Sequence, residues 1–224
     1  MSYDWNFSVF APYWPAFLRG IWLTVEISVV SAFGGTLAGI ALGALYRVIP
    51  LRLHKPALIF NDVLRAIPLL VLLFFFFFFP YQDYLGIKPP SPVICAILAL
   101  GLSQAVFTAD LVYAAVERVS QRTIQGARSL GLQETAIWRY IILPDIIRQI
   151  LPTLIAFWIG ILKLSNLASV IGVQEVVFVA QVASAQEFRS LEAWVIVAVI
   201  YVILVLPLTL TAREFEKSAW LKRR

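Results

Sequence analysis

Apolar residues run through this chain in five long stretches, at residues 21–46, 57–80, 92–116, 150–171 and 191–212. Each is long enough for the roughly 20 mostly apolar residues that one helical bilayer crossing requires. The pattern predicts an all-α integral membrane protein with about five transmembrane helices, forming a single domain over residues 1–224. The fourth stretch differs from the others because Pro152, Gly160, Lys163, Ser165 and Asn166 interrupt it. A broken helix at membrane depth is tolerated only where protein or a cavity satisfies the freed backbone groups, so a break with a functional purpose is expected there. The six phenylalanines Phe74–Phe79 cover more than a helical turn and must face several directions at once; they read as bulky filler near the outer end of the second crossing, with an aromatic lining for a pore or a binding site as the other reading.

Composition excludes a soluble alternative. The chain is 61% hydrophobic and 14% charged, against about 45–50% and about 25% for soluble domains, and its mean hydropathy is +0.85. Charge then orients the helices. Arg47, Arg52, Lys55 and Arg65 follow the first crossing, Arg118, Arg122, Arg128, Arg139 and Arg148 follow the third, and Arg213, Lys217, Lys222, Arg223 and Arg224 form the tail. Arg19, Lys88 and Arg189 fall on the other face, and Lys163 lies within a crossing. Basic residues concentrate on the cytoplasmic side, which puts the N-terminus outside and the C-terminus in the cytoplasm, consistent with an odd number of crossings. The net charge of +5 is thereby explained by topology and does not point to nucleic acid. Asp4 and a first apolar run too long for a signal sequence argue against cleavage.

Chemistry is sparse. One cysteine, Cys95, and one histidine, His54, exclude a disulfide framework and a Cys/His metal cluster. Cys95 reads as a small hydrophobe and His54 as a solvated loop residue. Neither a phosphate-binding G-x-x-x-x-G-K-[ST] loop nor a G-x-S-x-G nucleophile turn is present. No enzyme activity, metal or cofactor is expected in this chain, and any energy source must sit on a partner.

The connection over residues 117–148 is too polar to cross and too patterned to be a linker. Ile124, Ala127 and Leu130 recur at i, i+3 and i+6, Gly126 and Ala127 offer a small surface, and Gly131 suits a left-handed helix stop. A second amphipathic stretch, residues 135–143, is expected to end at Pro144. On the residues alone, an interfacial helix on the cytoplasmic leaflet and a protein-docking helix explain this loop equally well.

Gly126-Ala127-Arg128-Ser129-Leu130-Gly131 followed by Ile142-Leu143-Pro144 resembles the EAA loop of bacterial ABC importer permeases. Gln125-Gly126-Ala127 stands where that loop has Glu-Ala-Ala. Gly20-Ile21-Trp22-Leu23-Thr24, Leu64-Arg65-Ala66-Ile67-Pro68-Leu69-Leu70 and Leu162-Lys163-Leu164-Ser165-Asn166-Leu167-Ala168-Ser169-Val170-Ile171-Gly172 resemble, in order, blocks of the polar amino-acid branch of that family. The resemblance implies a type I ABC importer permease fold in a bacterial inner membrane. It implies two cytoplasmic ATP-binding subunits, which would hold ATP and Mg and dock at Gln125, Gly126, Ala127, Leu130, Gly131, Leu143 and Pro144. It also implies an external substrate-binding protein, a second permease subunit, and a cargo of amino acids or related small polar solutes. An amino-acid derivative such as an opine, or a compatible solute, is the alternative cargo.

Asp110 shares a helix face with Ser103 and Phe107 in the third crossing, and Lys163, Ser165 and Asn166 mark the interrupted fourth; these six are the expected substrate path. Asp110 could equally be paired for structural reasons, to Lys163 or to another helix. The branch's substrate-holding Asp after the Lys is Leu164 here, and its Gly-Thr-Pro is Ala66-Ile67-Pro68. Those departures favour a heterodimer in which this chain is the half without the main site, over an unusual cargo. A membrane-embedded enzyme using Asp110 and Lys163, and a channel without an ATPase, are the rival readings. Glu26 reads as an anchor or helix-pairing residue, and Gly34, Gly35, Gly39 and Gly43 as a small-residue packing face. Glu175, Glu187, Arg189 and Glu192 are expected in outside loops, where they would be solvated or meet the substrate-binding protein.

Overall fold

The structure, a computed structural model, describes residues 3–221, with Arg47, Leu51 and residues 215–221 described as backbone only. Of the basic residues counted above, Lys222, Arg223 and Arg224 lie outside the described residues. A 3-10 turn at Ser8–Tyr13 leads into α1 (Trp14–Val48), followed by α2 (Leu51–Ala66), α3 (Leu69–Phe78), the short α4 (Tyr81–Leu85) and α5 (Pro92–Glu117). Next come α6 (Gln121–Ser129) and α7 (Glu134–Ile137), joined by a π turn at Trp138–Ile142 to α8 (Leu143–Leu164). A second 3-10 turn, Ser165–Ile171, precedes α9 (Val176–Glu187) and α10 (Ser190–Leu221). Among the described residues, four helices are long and apolar enough to cross a membrane, and the bent pair α2–α3 makes a fifth crossing if it counts as one.

The sharpest break is not where the interrupted run predicted it. The second run consists of two helices bent by 93°. The cause is local: Ile67 precedes Pro68, whose ring pushes the residue before it out of the helical region, and Ile67 is extended at φ −72°, ψ 123°. The fourth run stays helical through Pro152 and Gly160 and changes only after Leu164, where the chain tightens into the 3-10 turn and reverses at Gly172, φ +83°. Nor does the 135–143 stretch end at Pro144. Pro144 sits in the first turn of α8, and the wider π turn in front of it accommodates the backbone that a proline ring would otherwise crowd.

Helices α1 and α5 form the most extensive helix pair. Gly35, Gly39 and Gly43 place no side chain between them: a Cβ there would lie 2.5 Å from the Gly101 carbonyl oxygen, 2.5 Å from that of Ala105 and 2.7 Å from that of Ala109. Both series advance by four residues, so the helices run parallel, as the first and third crossings of a membrane must. Contact this close is what small-residue faces permit in a bilayer, where packing replaces the hydrophobic drive. Gly34 points away with nothing near it, so the face has three glycines rather than four. Thr36 ties α8 into the pair, accepting from Trp158 Nε1 at 2.9 Å and Gln104 Nε2 at 3.3 Å.

Phe74, Phe76 and Phe77 pack against the Leu73–Leu100 core while Phe75 and Phe78 stay exposed, as the run of six required. At the end of the bundle opposite α6, the expected loop charges are spoken for. Glu192 is fully buried and accepts from Tyr3 Oη (2.6 Å), Asn6 N (3.3 Å) and Arg189 Nη1 (2.7 Å). Arg189 also donates to the Asp4 carbonyl at 2.8 Å, and Glu187 accepts from Tyr13 Oη at 2.8 Å. Glu175 is fully buried as well. Glu187, Arg189 and Glu192 fasten the N-terminal segment to the α9–α10 turn, Glu175 is tied to α1, and none of the four is a free loop charge.

Candidate functional site

The α6 hairpin presents the first candidate surface. Ser120 caps α6 by accepting from Thr123 N at 3.4 Å. At the other end Gly131, φ +76°, closes a Schellman motif in which Leu132 N donates to the Ala127 carbonyl and Gly131 N to that of Arg128. Ile124 and Ala127 turn inward, packing with Ile137, Ile142 and Ile146. Ala127 is therefore a support and not part of an approachable surface. The opposite face carries Gln125 and Gly126, both exposed, and Leu130 at the helix end is 82% exposed. A Cβ at Gly126 would meet nothing within 4 Å. An exposed Leu beside a bare backbone is an adhesive patch that the chain itself leaves uncovered. Leu143 is half-exposed and Pro144 partly buried at the foot of α8, and Arg128 pairs with Glu134 at 2.6 Å to brace α6 on α7.

The expected path residues separate into two places. Asp110 does not meet Lys163; it is bound by Arg65, whose guanidinium also reaches Asp62 at 3.3 Å. Arg65 is in the last turn of α2, just before the bend, and Asp110 lies past the middle of α5 toward its α6 end. Phe107, on the same face, meets Phe157 of α8 at a ring separation of 5.2 Å, and Ser103 is half-buried on that face. Lys163 and Asn166 instead line a groove of ≈ 790 Å³ between the Ser165–Ile171 turn, α9 and α10. Ser169, Gln181, Tyr201 and Thr209 supply its other polar side chains. Ser165 is buried, and its hydroxyl donates to the Leu162 carbonyl at 2.8 Å, so it shapes the turn and does not face the groove.

Residues 35–219 match the family described as binding-protein-dependent transport system inner membrane component. The chain belongs to this family. It is the membrane permease subunit of an ABC importer, a multi-pass protein whose ATP hydrolysis is carried by separate subunits. It is 34% identical to the probable amino-acid ABC transporter permease protein YckA of Bacillus subtilis (strain 168), over 89% of this chain and 87% of YckA. It is 30% identical to the glutamine transport system permease protein GlnP of Escherichia coli (strain K12), over 97% and 98%. Among solved structures, an amino acid ABC transporter with histidines superposes with a TM-score of 0.84 at 27% identity, covering 97% of this chain and all of that one. The MetNI methionine ABC transporter shares the fold, with a TM-score of 0.74 at 21% identity over 93% and 98%.

Behind the groove of this permease, Glu175 forms a joint that sequence reasoning placed in a solvated loop. It caps α9 by accepting from Phe178 N at 2.9 Å and reaches Thr24 Oγ1 of α1 at 3.4 Å. Gly20 lets the two backbones meet, since a Cβ there would lie 3.1 Å from the Glu175 carbonyl carbon. The Tyr201 hydroxyl of α10 is buried beside Glu175. Burial pushes the Glu175 carboxyl up to about 7 from 4.5, against the opposing pull of the α9 N–H groups. A folded-state value raised in this way contributes stability that is complete below about 4.5 and is lost as pH climbs through about 7. Wild-type permease should lose up to roughly 3 kcal/mol between pH 5 and 8, whereas Glu175→Gln, which keeps the acceptor, should be flat in that window. Thermal unfolding in detergent at the two pH values reads the difference, and parallel curves for the two proteins would remove Glu175 as the cause.

Proposed function

We propose that this permease moves amino acids or related small polar solutes into the bacterial cytoplasm as one half of an unlike pair. The near full-length similarity to YckA and GlnP, whose names specify amino-acid and glutamine transport, supports the cargo class. The chain is read as one permease domain over residues 1–224, with its N-terminus outside and α6 in the cytoplasm. There Gln125, Gly126 and Leu130 dock on one of two ATP-binding subunits, which hold ATP and Mg. Ala127, Gly131, Leu143 and Pro144 hold that face in place. An external substrate-binding protein delivers solute to the opposite end. The path runs past Lys163 and Asn166 in the groove, and past Ser103, Phe107 and Asp110 on α5, where Asp110 is held by Arg65 of α2.

ATP closing the nucleotide subunits and loaded binding protein must favour different permease states for the cycle to turn. The observation that carries the docking assignment is the uncovered patch at Gly126 and Leu130. Isolation from membranes in mild detergent, followed by native mass spectrometry, tests the assembly. The expected particle holds two ATP-binding subunits, this chain and a second, related permease. Two copies of this chain would overturn the unlike pair, and a particle without ATPase subunits would overturn the docking assignment.

A further inference from the structure

We propose that the groove at Lys163 recognises the carboxylate of its solute and favours acidic amino acids over basic ones. This rests on the reading that the groove is a stage of the solute path. Among the described residues Lys163 is the one charged side chain lining it; the polar remainder, Asn166, Ser169, Gln181, Tyr201 and Thr209, is neutral. Lys163 is exposed and makes no ion pair among the described residues, because the acid expected to neutralise it, Asp110, is held by Arg65. The nearest buried acid behind the groove, Glu175, is committed to the α9 N–H groups and Thr24 and does not line the cavity.

Depth turns this isolation into a binding argument. Trp158 donates to Thr36, which also binds Gln104 near the centre of α5. Lys163 follows five residues later on α8, about 7 Å further along the axis. An ammonium at that depth is too costly to face hydrocarbon and requires water or an anion. Lipid phosphates sit at the bilayer surface, roughly 15 Å from the midplane, so within the groove the ammonium is met by water until a solute carboxylate replaces it. Asn166 and Gln181 add amide donors for a second carboxylate. A guanidinium or ammonium side chain would meet repulsion from Lys163 and no lining acid.

The test is equilibrium binding of radiolabelled L-glutamate, L-glutamine and L-arginine to the detergent-purified complex with its own partner subunits and without the substrate-binding protein. Glutamate is expected to bind about ten-fold or more tighter than arginine, the scale of one charge-assisted hydrogen bond. Lys163→Gln should shrink that ratio to about two-fold or less, and Lys163→Glu should invert it. Both variants are exposed-site changes checked by co-purification with the ATPase subunits; if the reversal fails to assemble, the neutral variant decides alone. Arginine or glutamine binding as tightly as glutamate in wild type would overturn the carboxylate preference while leaving the path intact. So would a glutamate preference that survives Lys163→Gln, since the selecting charge would then belong to the other permease. Binding of none of the three to an assembled complex would overturn the path reading and the preference together.

Discussion

Replacing Gly126 with tryptophan is expected to abolish ATP-driven uptake while the permease still folds and inserts. The two halves of that expectation have separate physical grounds. Within the chain, a Cβ at Gly126 meets nothing, the helix stop at Gly131 is untouched, and the inward contacts of Ile124 and Ala127 are unchanged. Leaving glycine in a helix interior is, if anything, mildly stabilising, by up to about 1 kcal/mol. Between chains, an indole on the face that must seat against another protein holds the surfaces apart, and overfilled interface centres lose about 3 kcal/mol or more, ~100-fold in affinity. Solute uptake in cells, set against the unfolding midpoint in detergent, separates the effects. Uptake within about twofold of wild type would remove α6 as the docking element, because overfilling a real contact of this kind is worth far more than twofold. Gly126→Ala is expected to be nearly silent.

Gly39→Leu should have the opposite character: no folded permease at all. The added Cβ alone would stand 2.5 Å from the Ala105 carbonyl oxygen and 2.5 Å from Thr108 Cβ, both on the backbone-bearing ridge of α5. Neither is the flexible end of a side chain, so relief requires moving one helix away from the other along their whole contact. Even Gly39→Ala should cost about 1–3 kcal/mol as an overpacked core substitution. Gly34→Leu, on the same helix but facing away, is the matched control and should be tolerated. Size-exclusion profiles of the three variants decide the matter; a monodisperse Gly39→Leu complex would mean that the α1–α5 contact is not needed for assembly.

What could be read from the residues, and what could not, divides along sequence distance. The crossings were legible because each is a property of one contiguous run. Most of the glycine face was legible because i, i+4 spacing marks one side of a helix, although Gly34 and Gly35 are neighbours and cannot both face α5. On α6 the i, i+3, i+6 series drifts by about 60° per step on a 3.6-residue helix, which is why Ile124 and Ala127 are buried and Leu130 is not. Asp110 was recognisable as a costly charge at depth, but its partner was not: Arg65 lies 45 positions away and had already been explained as a topology-setting charge. Glu175 and Glu192 looked like loop charges because their burial depends on Thr24, Tyr3 and Asn6, all more than 150 positions distant. Pairings of that range leave no periodic trace in the chain.

The parallel embrace of α1 and α5 also sets a clock on biogenesis. Three helical elements, α2 to α4, separate the two, and α5 ends 69 residues after α1 does. At about 5–20 residues per second of synthesis, α1 waits on the order of 3–14 s with its glycine stripe uncovered. A helix with a bare backbone groove and no mate is poorly packed by lipid chains, so during that interval the nascent permease depends on the insertion machinery to shield one side of its first helix. Quality control that acts on this protein has its widest opening before the third crossing leaves the ribosome.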